Sequence, residues 1–270
     1  MLCKSCGNFV DKYDLFCRFC GTKQAAQTVL RDFEIQNGVL VKYKGRKKNV
    51  VIPEGVRVIW DEAFINCKSV KNVTLPDGLH TIRSEAFSGC TALEEITAPN
   101  SIYYIGWQVF ENCTSLKSIS IPYGIEHINW GTFRNCTSLK SVTIPDSVMD
   151  IRHHAFENCS ALESISIPDG VTDIHWAAFK KCTSLKSVTI PDSVMMIWRC
   201  AFENCTSLES ITIPGSLKKI RKGAFSGCTS LTEVSVRDIE FKLESTAFKD
   251  CPLDEDSKKA LGKYSVYSEE

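Results

Sequence analysis

Four cysteines near the N-terminus carry the spacing of a metal site. Cys3-x2-Cys6-Gly7 and Cys17-x2-Cys20-Gly21 form two matching hooks separated by ten residues. Four thiolates in two such pairs suit tetrahedral Zn2+, because each hook presents two sulfurs from one tight turn. The glycine after each second cysteine permits that turn. A unit of about twenty residues buries too little surface to fold alone, so the metal would supply its folding energy. With four thiolates and no vacancy, the expected zinc is structural. A redox role for the two C-x-x-C pairs lacks the strand–helix–strand pattern such motifs need.

Other residues able to do chemistry are scattered. His153, His154 and His175 could converge, but the sequence marks neither a repeated ligand spacing nor a carboxylate partner for them. No Gly-rich phosphate loop, nucleophile elbow or H-E-x-x-H is present. Asp146, Asp169 and Asp192 each follow a proline and read as turn residues. Cys200 has only Arg199 beside it to lower its pKa. These observations predict a protein that is not an enzyme.

The elements that position these residues follow from a repeat. Phenylalanine recurs every 23 residues from Phe64 to Phe248, and a cysteine follows each three residues later, from Cys67 to Cys251. A fixed period of this size means one supersecondary unit stacked on itself. Coils are numbered by their phenylalanine, so Phe64 lies in coil 1 and Phe248 in coil 9. Segments such as Leu185–Ile190 alternate and are rich in β-branched residues, which predicts a strand. Pro191 turns the chain, and Val194–Ile197 predicts a second extended piece. The fold class is therefore mainly β, a solenoid with two short strands per 23-residue coil, preceded by a small zinc ribbon. The phenylalanine column is expected to be an internal spine. The cysteine column is expected to be reduced, buried and space-filling.

The unit I-P-x-x-V-x-x-I-x-x-x-A-F-x-x-C-x-x-L resembles the BspA-like leucine-rich repeats of bacteria and some parasites. The resemblance covers residues 28–253, with eight good copies and a worn ninth. It implies a leucine-rich-repeat solenoid that binds other proteins or cells. The family's Ile-Gly-x-x-Ala-Phe survives only at Gly106; the other coils carry Trp60, Arg83, Asn129, Arg152, His175, Trp198 and Arg221 there. The N-terminal C-x2-C-G…F-C-x2-C-G, including Phe16, resembles prokaryotic zinc-ribbon modules, which implies metal binding at Cys3, Cys6, Cys17 and Cys20. The expected organisation is a zinc ribbon over 1–24, a capping hairpin over 28–50, the solenoid over 51–253 and a C-terminal cap and tail over 254–270.

Within this frame five positions per coil vary, two before the fixed isoleucine and three after it. Over eight coils these 40 positions hold all five tryptophans, all five histidines and every methionine except Met1. Enrichment in Trp, Tyr, His, Met and Arg is the composition of contact surfaces. Residues 23 apart are lateral neighbours, so coils 3 to 7 are expected to present an aromatic and basic strip roughly 20 Å long. Its candidate binding residues are Tyr103, Tyr104, Trp107, His127, Trp130, Arg152, His153, His154, His175, Trp176, Met195, Met196, Trp198 and Arg199. The expected partner is a protein or peptide.

The alternative is a single-stranded nucleic-acid module that uses the zinc hooks, Arg46-Lys47-Lys48 and rings interleaved with arginine. Against it stands the charge balance, with Lys plus Arg equal to Asp plus Glu at 32 each. No apolar run approaches a membrane span. The lack of a secretory pattern at Met1–Cys6 and the unpaired cysteine ladder lead us to expect a cytoplasmic protein, with surface display possible through another export route.

Overall fold

The computed structural model of the chain describes residues 6, 19–20, 31–237, 241–264 and 266–267. Each coil contributes two short parallel strands, as the repeat predicts. The first has a buried middle residue between two exposed ones, as in Ser164–Ser166 and Ser187–Thr189. That alternation is what a strand with one face on a core requires. The second is only two residues long, as in Asp173–Ile174 and Met196–Ile197. It is shorter than the Val194–Ile197 stretch read from the sequence, because the Val194 N–H is taken by a turn bond to the Pro191 carbonyl at 3.1 Å.

Register follows the repeat. Asp150 faces Asp173, Ile151 faces Ile174 and Ile165 faces Val188, each across a parallel pair. The corner before the thiol turn adds a third ladder: the Phe179 N–H donates to the Ala201 carbonyl of the next coil at 2.7 Å.

The phenylalanines stack into the expected spine, with ring centroids 5.2 Å apart from Phe156 to Phe225. Tyr43 and Phe33 continue it at the N-terminal end. The cysteine column is more than filler. Each thiol from Cys90 to Cys251 donates to the phenylalanine carbonyl 26 residues back, as Cys159 does to Phe133 at 3.1 Å. A buried carbonyl thereby gains a partner that alanine could not supply. Burial pushes the Cys90 and Cys205 thiols up to about 12, which leaves them un-ionised and unreactive at neutral pH.

Two positions in each of coils 1 to 8 adopt left-handed backbone. The one before each cysteine is Asn in coils 1, 3, 4, 5 and 7, with φ between 57° and 61° at Asn66, Asn112, Asn135, Asn158 and Asn204. The Asn135 and Asn158 side-chain amides donate to the asparagine one coil back at 2.9 and 3.0 Å. Coil 6 interrupts this ladder with Lys181, also at positive φ (61°) and exposed. Lysine tolerates that conformation poorly and offers no acceptor. Lys181→Asn is therefore expected to raise stability by about 1 kcal/mol. A urea titration checks this, and an unchanged or lowered midpoint would refute it.

The ends are closed differently. Phe33–Gln36 and Val39–Tyr43 form an antiparallel hairpin through Asn37-Gly38, both at positive φ, and Val39–Tyr43 pairs with the first coil. At the other end the helix Glu255–Leu261 starts at the N-cap Asp254, whose carboxylate accepts the Ser257 N–H. Ser257 and Leu261 are buried, and the Ser257 hydroxyl accepts the Val234 N–H at 2.8 Å.

One discontinuity bears on function. The second strands fall into two sheets, separated between Tyr104–Ile105 of coil 3 and His127–Ile128 of coil 4.

Candidate binding surface

The five variable columns lie on and just after the second strand, where the chain leaves the sheet. The fixed isoleucine turns inward, so its neighbours face outward or along the stack. Tyr103, Tyr104, Trp107, Trp130 and Trp176 are exposed; Tyr103 and Trp107 show 62% and 55% of their surfaces. His153 and Arg199 are exposed as well. His127, Arg152, His154, His175, Met195, Met196 and Trp198 are half-buried.

The rings form a ladder. Trp130 meets His154 edge-on at 6.5 Å, and His154 meets Trp176 at 4.4 Å. A second line runs from His153 to His175 at 5.0 Å and on to Trp198, which stacks parallel to His175 at 5.9 Å. The Arg221 guanidinium closes this line 4.6 Å over the Trp198 ring. Trp198 is less available than its column suggests, because its indole N–H donates to Asp173 at 3.0 Å.

The basic character expected of the strip holds only at one end. Across the middle coils, carboxylates sit beside the basic side chains. Asp150 lies 3.0 Å from His127 Nδ1, 4.0 Å from His175 Nε2 and 3.7 Å from Arg152. Glu157 meets His154 Nδ1 at 2.8 Å. The histidine partners were hidden in the sequence because they lie one coil away or three residues on. Burial lowers the His175 pKa, and burial followed by coupling to His175 lowers that of His153, which favours the neutral form of each ring. Among the described residues no group of three or more His, Cys, Asp or Glu is arranged to hold a metal. Of the proposed zinc ligands, Cys3 and Cys17 lie outside the described residues, while Cys6 and Cys20 are exposed.

Where the second-strand sheet divides, a shallow groove of about 500 Å3 opens, with Tyr103, Tyr104, Trp107, His127 and Arg152 around it. Its floor is Asn129, which is buried despite its place in a variable column. At other coils the backbone N–H in this column reaches the isoleucine carbonyl one coil back, as Arg152 N does to Ile128 O at 2.9 Å. At coil 4 the Asn129 side-chain amide makes that reach instead, to Ile105 O at 2.7 Å. The surviving glycine of the column, Gly106, sits so close to coil 2 that a Cβ there would lie 2.5 Å from Ser84 N.

The candidate set leaves out exposed rings, among them Trp60 and Tyr123. Tyr123 is 68% exposed in the turn after Pro122, where later coils carry Asp146, Asp169 and Asp192. An aromatic residue in a column of turn acids was the available signal.

The sequence pattern of the BspA type leucine rich repeat region matches this chain in six copies, over residues 35–163 and 150–258. Among solved structures, the chain is similar to a T. pallidum leucine rich repeat protein at 25% identity, covering 88% of this chain and 98% of that one, with a TM-score of 0.46. A leucine rich cell surface protein from Faecalibacterium prausnitzii matches at 24% identity, with 88% and 96% covered and a TM-score of 0.39. The pneumococcal vaccine antigen PcpA matches at 19% identity, with 78% and 58% covered and a TM-score of 0.49. No curated protein matches the chain.

Proposed function

This chain belongs to the BspA type leucine-rich repeat family, whose repeats commonly serve as non-enzymatic scaffolds for protein binding, and from that premise we propose that it captures a protein or peptide through its second-strand face. The observation that carries this reading is the set of exposed rings, Tyr103, Tyr104, Trp107, Trp130 and Trp176, which coils 3, 4 and 6 carry in the same variable columns on a frame with a buried core. A patch of that kind is unusual on a surface with nothing to bind. Large amphipathic rings supply contact area at low entropic cost, and they dominate interface energetics. Among the described residues no helix is long and apolar enough to cross a membrane.

The test uses the full chain as bait in lysate of its source cells and of their surroundings. Trp130→Ala combined with Trp176→Ala is expected to abolish capture of the partner and leave the melting temperature within a few degrees of the parent, because neither ring lies in the core. Unchanged capture by the double variant sinks the reading.

We also propose that Cys3, Cys6, Cys17 and Cys20 hold one structural zinc. Their donor chemistry, four thiols in two hooks, fits the ion. Elemental analysis of the purified chain is expected to find one zinc per molecule, lost on Cys3→Ser with Cys17→Ser; a metal-free parent would end the proposal.

A further inference from the structure

The charge on the binding face is segregated along the stack. Coil 8 fills four of its five variable positions with cations, Lys218, Lys219, Arg221 and Lys222, and Arg199 adjoins them from coil 7. No other coil carries more than one Lys or Arg there. Among the described residues, the acid in contact with them is already committed: Glu244 is buried, meets Lys219 Nζ at 2.9 Å and accepts the Lys222 backbone N–H. Lys218, Lys222 and Arg199 are exposed. Arg221 lies over Trp198, so the cationic end is continuous with the ring ladder of coils 5 to 7.

Resting on the binding reading above, we propose that the partner presents an extended acidic peptide segment that docks in one direction, with aromatic or aliphatic side chains over coils 3 to 6 and carboxylates over coil 8. Charge complementarity at one end fixes the direction, since reversal would place those carboxylates over coil 3, where Glu126 lines the same groove as Tyr103 and Trp107, and take them away from Lys218, Lys222 and Arg199. The geometry sets the length. From Trp107 to Lys222 is five coil steps, about 24 Å at the spacing of parallel strands. An extended peptide covers that distance in about seven residues. A nucleic-acid strand fits less well, because its phosphates need cations along the whole track. The middle coils instead carry Glu126, Asp150 and Asp173.

The experiment is selection of a random-peptide display library on the full chain, followed by synthesis of the most enriched peptide. Enriched sequences are expected to hold aromatic or aliphatic residues at one end and two or more Asp or Glu at the other. Lys218→Glu with Lys222→Glu is expected to weaken that peptide at least tenfold while circular dichroism stays unchanged, and added salt should weaken the parent complex. Peptides that bind the ring strip without acids, indifferent to the charge reversal, would overturn the directed docking and leave peptide binding standing. An absence of any enriched peptide counts against both. An oligothymidylate probe that binds as tightly as the best peptide and is lost on the same reversal would assign coil 8 to nucleic acid and overturn the proposal.

Discussion

Phe179→Ala is expected to cost about 3–5 kcal/mol, more than a typical exposed substitution by a wide margin. The ring is fully buried and lies 5.2 Å from both Phe156 and Phe202, with interplanar angles of 3° and 8°. Truncation would open a void touching two neighbouring rings, in a stack where each coil is held only by those beside it. The position along the spine should matter. Among the described residues Phe248 stacks on one ring, Phe225 at 4.9 Å, and is half-buried, so Phe248→Ala should cost clearly less. Urea titrations of the two variants provide the comparison. Equal losses, or a loss at Phe179 below about 1 kcal/mol, would mean that the ring column fills space without coupling the coils.

The repeat made the frame readable and concealed much of its detail. A residue that recurs every 23 positions must be doing the same thing in each coil, so Phe64 to Phe248 could be assigned to the interior before any coordinates. What each recurrent residue does beyond filling space depends on partners in the adjacent coil. The thiol of Cys159 is fixed as much by the Phe133 carbonyl as by volume, and nothing in linear spacing shows that bond. The variable columns were legible as outward-facing, and Tyr103, Trp107 and Trp176 are exposed. Their electrostatics were less legible. Asp150 belongs to the same varying set as His127, and only the stacking brings it within reach of that ring. Likewise Trp198 reads as another displayed ring, yet Asp173 one coil back holds its indole.

Asn129 is the clearest case of a functional-looking residue with a structural duty, and Asn129→Ala is expected to cost about 1–3 kcal/mol. Coils 1–3 and 4–9 meet where the second-strand sheet is interrupted, and the spine is most widely spaced around coil 3, at 5.7 Å for Phe87–Phe110 and 5.6 Å for Phe110–Phe133. There the buried Asn129 amide donates to Ile105 O at 2.7 Å, and its carbonyl oxygen accepts from Arg152 Nη1 at 2.9 Å. Alanine would leave the Ile105 carbonyl without that donor and release the Arg152 guanidinium over the groove. Coupling between the two blocks should fall, so amides of coils 2 and 3 should exchange with solvent faster relative to those of coils 5 to 7 than in the parent. Arg152→Ala is the control, because it removes the half-exposed partner and keeps the buried bond, and it should cost under about 1 kcal/mol. If the two substitutions cost the same and exchange rises evenly along the stack, Asn129 does not join the blocks. The groove would then be an ordinary gap between coils and not a seam held by one side chain.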